Sequence, residues 1–122
     1  MNSNASNAYK IYENNNVTTA SPKKLLTMLY GGAIRFCRLA EIAMDEKNME
    51  KKNDYLKRVQ DILYELSLSL NFEAGEMAEQ LSALYAFMIR ELVDANLRMD
   101  VQKVKNVRLM LEELLEAWSE IA

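Results

Sequence analysis

Apolar residues return at three- and four-residue steps along most of this chain, the spacing that lines one side of an α-helix. The first stretch carries Leu25, Leu29, Ala33, Phe36, Ala40 and Ala43. It opens on Ser21-Pro22. A serine oxygen suits the N-cap, where it accepts from an otherwise unpaired backbone N–H. Proline suits the first helical position, where its missing N–H costs nothing. The pattern predicts a helix over Pro22 to Glu46, ended by the polar pair Lys47-Asn48. A second helix is predicted over Met49 to Asn71, with Val59, Leu63, Leu66 and Leu70 inward. Within it Leu66-Ser67-Leu68-Ser69-Leu70 alternates like a strand, but the run is short and sits inside a helical pattern, which outweighs it. Gly75 marks the next break. A third helix follows over Glu76 to Leu97, with Met77, Leu81, Leu84, Met88, Leu92 and Ala95 inward. Asp100 suits the cap of a fourth, Val101 to Ile121, with Val104, Val107, Leu111, Leu114 and Trp118 inward.

Helices of about 20 residues joined by breaks of a few residues must reverse direction at each turn, which predicts an all-α, antiparallel up-down four-helix bundle over residues 21–122. Residues 1–20 read differently. They are poor in apolar groups and hold six asparagines, at 2, 4, 7, 14, 15 and 16. The expectation is a mobile N-terminal arm, interrupted by the apolar fragment Ala8-Tyr9-Lys10-Ile11-Tyr12. That fragment is too short to be a stable helix alone, and it suits either a helical turn or docking on the bundle.

Composition narrows the function. Three glycines and one proline in 122 residues leave little material for hairpins. A formal net charge of −3 argues against a general nucleic-acid binder, which needs a basic surface to displace counterions. Cys37 is the only cysteine, so an intramolecular disulfide is excluded. The N-terminus lacks the basic-then-apolar order of a secretory signal. No apolar run approaches a membrane span, so a cytosolic location without membrane insertion is expected. There is no histidine. That excludes histidine phosphotransfer, the Glu-x-x-His di-iron bundles, His-based zinc sites and His-dependent acid–base catalysis.

A bundle helix needs one apolar stripe, and this chain has more. Tyr64 and Leu68 stand four apart, roughly opposite the Val59–Leu66 face, and Phe72 continues their line. The fourth helix has a wide apolar arc with Met110, Leu114 and Ile121 on one edge and Leu109 outside it; Phe87 and Val93 add to the third. Scattered exposed apolar residues are ordinary, but a contiguous stripe on a solvent face marks a partner site, suited to an amphipathic helix laid in a groove. Eight methionines supply flexible thioethers to such a surface. Tyr64, Leu68, Met110 and Leu114 are therefore the candidate partner-binding residues. Glu112, Glu116 and Glu120, beside Glu113, read as a solvated acidic face rather than a metal or catalytic site. Lys51, Lys52, Lys57 and Arg58 read as a soluble face, or as a dock for an acidic partner. Cys37 reads as a small buried hydrophobe. Gly31-Gly32 inside the first helix lowers helix propensity by roughly 1 kcal/mol each. Close approach of another helix is the simpler explanation, and approach of a peptide or of the arm the other.

The sequence resembles the flagellin-specific export chaperones, the FliS family. The resemblance lies in Val17-Thr18-Thr19-Ala20-Ser21-Pro22 followed by Leu25, Leu26, Met28, Leu29, Tyr30 and Gly32; in Lys52 to Leu70; in Leu84-Tyr85, Met88-Ile89-Arg90, Leu92, Ala95 and Asn96; and in Trp118. It implies a cytosolic bundle that binds the disordered C-terminal segment of flagellin, prevents its premature polymerisation and delivers it to the flagellar type III export apparatus. It implies no cofactor and no catalysis. Its implied partners are flagellin and an export-gate component, with other flagellar regulators as further candidates. It also implies that the N-terminal segment lies over part of the binding surface and helps handover. Tyr9 and Tyr12, with Ile11 between them, are the residues here for that cap or export-gate contact. The competing reading is an assembly bundle whose extra apolar face serves self-association.

Overall fold

The computed structural model describes residues 10–12 and 21–121. Four helices account for most of them: α1, Pro22–Asp45; α2, Met49–Leu68; α3, Glu76–Arg98; and α4, Val101–Ser119, with a 3-10 turn, Phe72–Ala74, before α3. Each start has a local cause. Ser21 Oγ accepts from Lys24 N at 3.2 Å, with Pro22 behind it. Asn48 Oδ1 accepts from Lys51 N at 3.1 Å, and Asp100 Oδ1 from Gln102 N at 3.1 Å. Helix α3 starts at Gly75, whose φ of 111° is open to glycine and strained for other residues.

The helices form an antiparallel up-down bundle. Helix α1 packs between α2 and α4, and α3 closes the ring between the same two. Contacts run in opposite registers. Arg38 meets Glu112 while Glu41 meets Arg108 across α1 and α4. Lys52, at the start of α2, reaches Asn96 O at the end of α3. One end of the bundle therefore gathers the start of α1, the end of α2, the start of α3 and the end of α4.

The inward residues expected for α2 are buried, Leu70 included. So are those expected for α4, apart from the half-buried Leu114, but on α1 and α3 the face is displaced. Helix α1 turns Leu26, Tyr30, Ala33, Cys37, Ala40 and Met44 to the core, leaving Leu25, Leu29 and Phe36 half-buried. The shift brings Tyr30 inward, where it finds a hydroxyl partner. Helix α3 buries Ala78, Tyr85 and Ile89 beside Leu81, Met88, Leu92 and Ala95, whereas Met77 is exposed. Helix α2 ends at Leu68, three residues before the predicted Asn71. Leu70 instead pairs with Tyr12 in an isolated antiparallel β-bridge, and Asn71 N–H donates to Ile11 O. The strand-like alternation of Leu66 to Leu70 thus had a local meaning at its last residue.

Two further expectations need correction. Lys52 is not on a soluble face: it is buried, and its Nζ donates to Asn96 O at 3.4 Å. A cation suits that place, because the last carbonyls of α3 carry the negative end of the helix dipole. Close helix approach does not demand either glycine: a Cβ at Gly32 would meet Ile62 Cδ1 at 3.4 Å, an ordinary contact, and one at Gly31 would meet nothing within 4 Å.

Candidate functional site

Helices α3 and α4 are joined by Met99 and Asp100 alone, and Lys103 clamps the joined ends by pairing with Glu91 at 3.2 Å and Asp94 at 2.9 Å. Toward their other ends an apolar groove of about 330 Å³ lies between them. Met77, Gln80, Leu81 and Leu84 form the α3 wall; Leu114, Ala117, Trp118 and Ile121 form the other. Gln80 is the one polar side chain among them. These walls lie on two of the three helices that carry apolar residues beyond one core stripe. Exposed apolar residues continue around the same end: Met77 at 52%, Phe72 at 53% and Leu68 at 82% exposure.

Behind the groove sits the arm fragment. Ile11 and Tyr12 are buried and belong to the same hydrophobic cluster as the bundle core. The Tyr12 ring meets Trp118 edge-on, with centroids 5.9 Å apart and planes at 67°. Its hydroxyl bonds to the Tyr85 hydroxyl, which also bonds to that of Tyr30 at 2.5 Å. Helices α1 and α3 and the arm thus meet in one buried tyrosine chain. Burial holds all three phenols protonated, well above the ordinary tyrosine range. A buried hydroxyl needs such a partner to offset its lost hydration. Trp118 is shared: one part lines the groove and another rests on Tyr12.

The described candidate residues fall in four places. Leu114 lines the groove. Met110, one turn earlier on α4, is half-buried against the core. Tyr64 and Leu68 are exposed on α2, diagonally across the ring from α4. Ile11 and Tyr12 lie under Trp118 and do not line the groove. Tyr9 is outside the described residues. Met77, Leu81, Leu84 and Trp118 were read as core, and Gln80 and Ala117 carried no signal. The wide apolar arc of the fourth helix was the clue to their use, since a stripe broader than the core must open onto something else.

The remaining polar clusters are structural. Arg108 spans α1 and α4, donating from Nε to Glu41 Oε2 at 2.7 Å and from Nη1 to Glu112 Oε1 at 3.1 Å. Cys37 is fully buried and has no histidine to activate it; burial, then the Glu41 charge, pushes its thiol up to about 12. Phe36 is covered by Tyr55, Arg35 and Arg58. Among the described residues no helix is long and apolar enough to cross a membrane.

The chain is similar to proteins of flagellated bacteria along most of its length. It is 37% identical to the flagellar secretion chaperone FliS of Bacillus subtilis over 114 residues, covering 93% of this chain and 85% of that one. It is 38% identical to FliS of Campylobacter jejuni over 115 residues, covering 93% and 90%. With FliS of Escherichia coli the identity is 35% over 106 residues, covering 85% and 78%. The family described as flagellar protein FliS matches residues 5–122. A helical bundle with an apolar groove, matched over that span, belongs to the FliS family of flagellar secretion chaperones.

Proposed function

We propose that this protein is a cytosolic export chaperone that holds the disordered C-terminal segment of flagellin in the α3–α4 groove, keeps it from polymerising prematurely and delivers it to the flagellar type III export apparatus. The observation that carries the reading is the groove itself: an apolar channel between two helices, open to solvent, with a single polar wall residue. A segment that folds on binding must offset its ordering entropy by burying apolar area. Burying on the order of 1,000 Å² gives a gross term of about 25 kcal/mol, most of it consumed by ordering and association. A groove of about 330 Å³ takes only a few side chains. The client therefore continues beyond it, and Met77, Phe72, Leu68 and Tyr64 offer the apolar path from α3 to α2.

The arm acts on this site through Trp118. Because Ile11 and Tyr12 are buried, an export-gate component can touch them only after the arm leaves its seat. Leaving removes the support beneath Trp118, so handover and client grip are mechanically linked. Calorimetry with a flagellin C-terminal peptide tests the site. Ala117→Trp fills the groove from an exposed position; the expected result is a large loss of affinity with unchanged helicity. Retained affinity sinks the assignment. Sedimentation addresses self-association: a stable dimer that buries Tyr64 and Leu68 and ignores flagellin favours the assembly reading instead.

A further inference from the structure

The borders of the groove carry a charge pattern that its apolar floor does not require. No lysine or arginine occurs in residues 59–89 or 109–121, the stretches that supply both groove walls and the approach from α2. Glu76 stands one turn before Gln80 on α3, and Glu113 and Glu120 flank Ala117 on α4, so all three border the groove, and all are exposed. None of them is in an ion pair among the described residues. Of the lysines at this end, Lys23 donates to Ile121 O at 3.0 Å, and Lys10 and Lys24 are exposed.

Glu76 has a local reason for its place, since an acid at a helix start complements the dipole. The α4 residues have none. Glu120 is the C-cap of α4, and the last turn of that helix holds no basic residue, although cations are what that end favours. Glu116 and Glu120 also repeat like charge at a four-residue step, which is unfavourable, whereas Glu112 is paired with Arg38 and Arg108. Glu113, Glu116 and Glu120 are in no ion pair among the described residues, and a bound cation beside the groove would offset their like charge.

We infer that the groove selects segments whose apolar anchors are flanked by lysine or arginine, with Glu76, Glu113 and Glu120 as the specificity-determining carboxylates. The inference rests on the groove being the client site. The apolar floor supplies grip, and the acidic border supplies choice of register and partner and speeds encounter.

Calorimetry of the full chain against two designed helical peptides tests this. Both carry one leucine stripe, flanked in one peptide by lysines and in the other by glutamates. The lysine peptide is expected to bind about tenfold tighter at low salt, with the difference shrinking at high salt as screening shortens. In Glu113→Lys/Glu120→Lys, at two exposed positions, the preference reverses. Equal affinities, or a lysine preference that survives either the double variant or high salt, overturn the inference. Ala117→Trp separates the two levels. If it abolishes binding of both peptides while the wild-type chain shows no charge preference, the groove reading stands and this inference falls. If it leaves both affinities unchanged, both fall.

Discussion

The hydroxyl of Tyr12 bonds to the hydroxyl of Tyr85 inside the bundle, across 73 positions of sequence. With the Tyr12 ring set edge-on against Trp118, this contact makes the arm fragment part of the core. Tyr12→Phe keeps the ring and removes the bond, so an expected loss of about 1 kcal/mol follows. Tyr12→Ala also empties the space beside Trp118 and costs about 3 kcal/mol. Urea denaturation followed by Trp118 fluorescence reads both. Identical midpoints for Tyr12→Ala and wild type would mean that the arm does not contribute to the fold.

Deleting residues 1–16 removes Ile11 and Tyr12 together. The expected outcome is lower stability and greater binding of a hydrophobic dye, because Trp118 loses its cover on one side. If Ile11 and Tyr12 compete with the client for the same surface, the deletion also tightens binding of a flagellin C-terminal peptide. Unchanged dye binding and unchanged affinity together would rule out any control of the groove by the arm.

Leu68 is 82% exposed at the end of α2, so its side chain contributes little to the bundle. Leu68→Glu is expected to leave the melting temperature within a degree or two of wild type, in line with surface substitutions of about 0.5 kcal/mol or less. If the client continues onto α2, the same change weakens its binding about tenfold. Calorimetry alongside thermal melts separates the two effects, and an unaltered affinity confines the client to the α3–α4 groove.

Gly31 sits inside α1 with nothing within 4 Å of a built Cβ. Alanine there gains helix propensity at no steric cost, so Gly31→Ala should stabilise the chain by about 1 kcal/mol. At Gly32 the same gain meets Ile62 Cδ1 at 3.4 Å, an ordinary contact, and the net effect should be equal or smaller. Chemical denaturation of the two variants decides. A loss of client binding in Gly31→Ala without a loss of stability would show that a partner, rather than packing, uses the bare backbone at that position.

Alkaline pH should loosen the fold before it does anything else. The Cys37 thiol has an unfolded value of 9.0 and is pushed up to about 12 by burial. The folded chain keeps that proton while the unfolded chain loses it, so stability is intact below about pH 9 and declines as pH rises toward 12. The slope approaches 1.4 kcal/mol per pH unit, roughly, for one group. Tyr12, Tyr30 and Tyr85 add the same sign above their ordinary value of 10. Urea midpoints between pH 9 and 10 should therefore fall in the wild type and fall less in Cys37→Ala. Parallel slopes for the two would show that the thiol is not shielded as its burial implies.

Helix number, order and starts were legible in the chain. Ser21, Asn48 and Asp100 act within three residues of themselves, and short breaks between helices leave only antiparallel neighbours. The exact inward face was less legible. Three- and four-residue spacing accepts Leu25-Leu29 or Leu26-Tyr30 almost equally, and the choice of the second came from a hydroxyl on α3 that local pattern does not contain.

The surplus of apolar surface could be read from composition along each helix, because periodicity counts how much a single stripe holds. Its arrangement could not. Leu114 reached a groove because α3 and α4 are ring neighbours, whereas Tyr64 and Leu68 stand across the diagonal. Residues that look like core on one helix, such as Leu84, became groove wall because they face a gap between two helices. Likewise Ile11-Tyr12 was visibly apolar, but its seat under Trp118 and beside Leu70 was set by surfaces more than fifty residues away. Propensity, capping and periodicity are interactions over a few residues and are written in order along the chain. Which apolar faces meet, and which stay open for another protein, depends on how four helices divide a common interior.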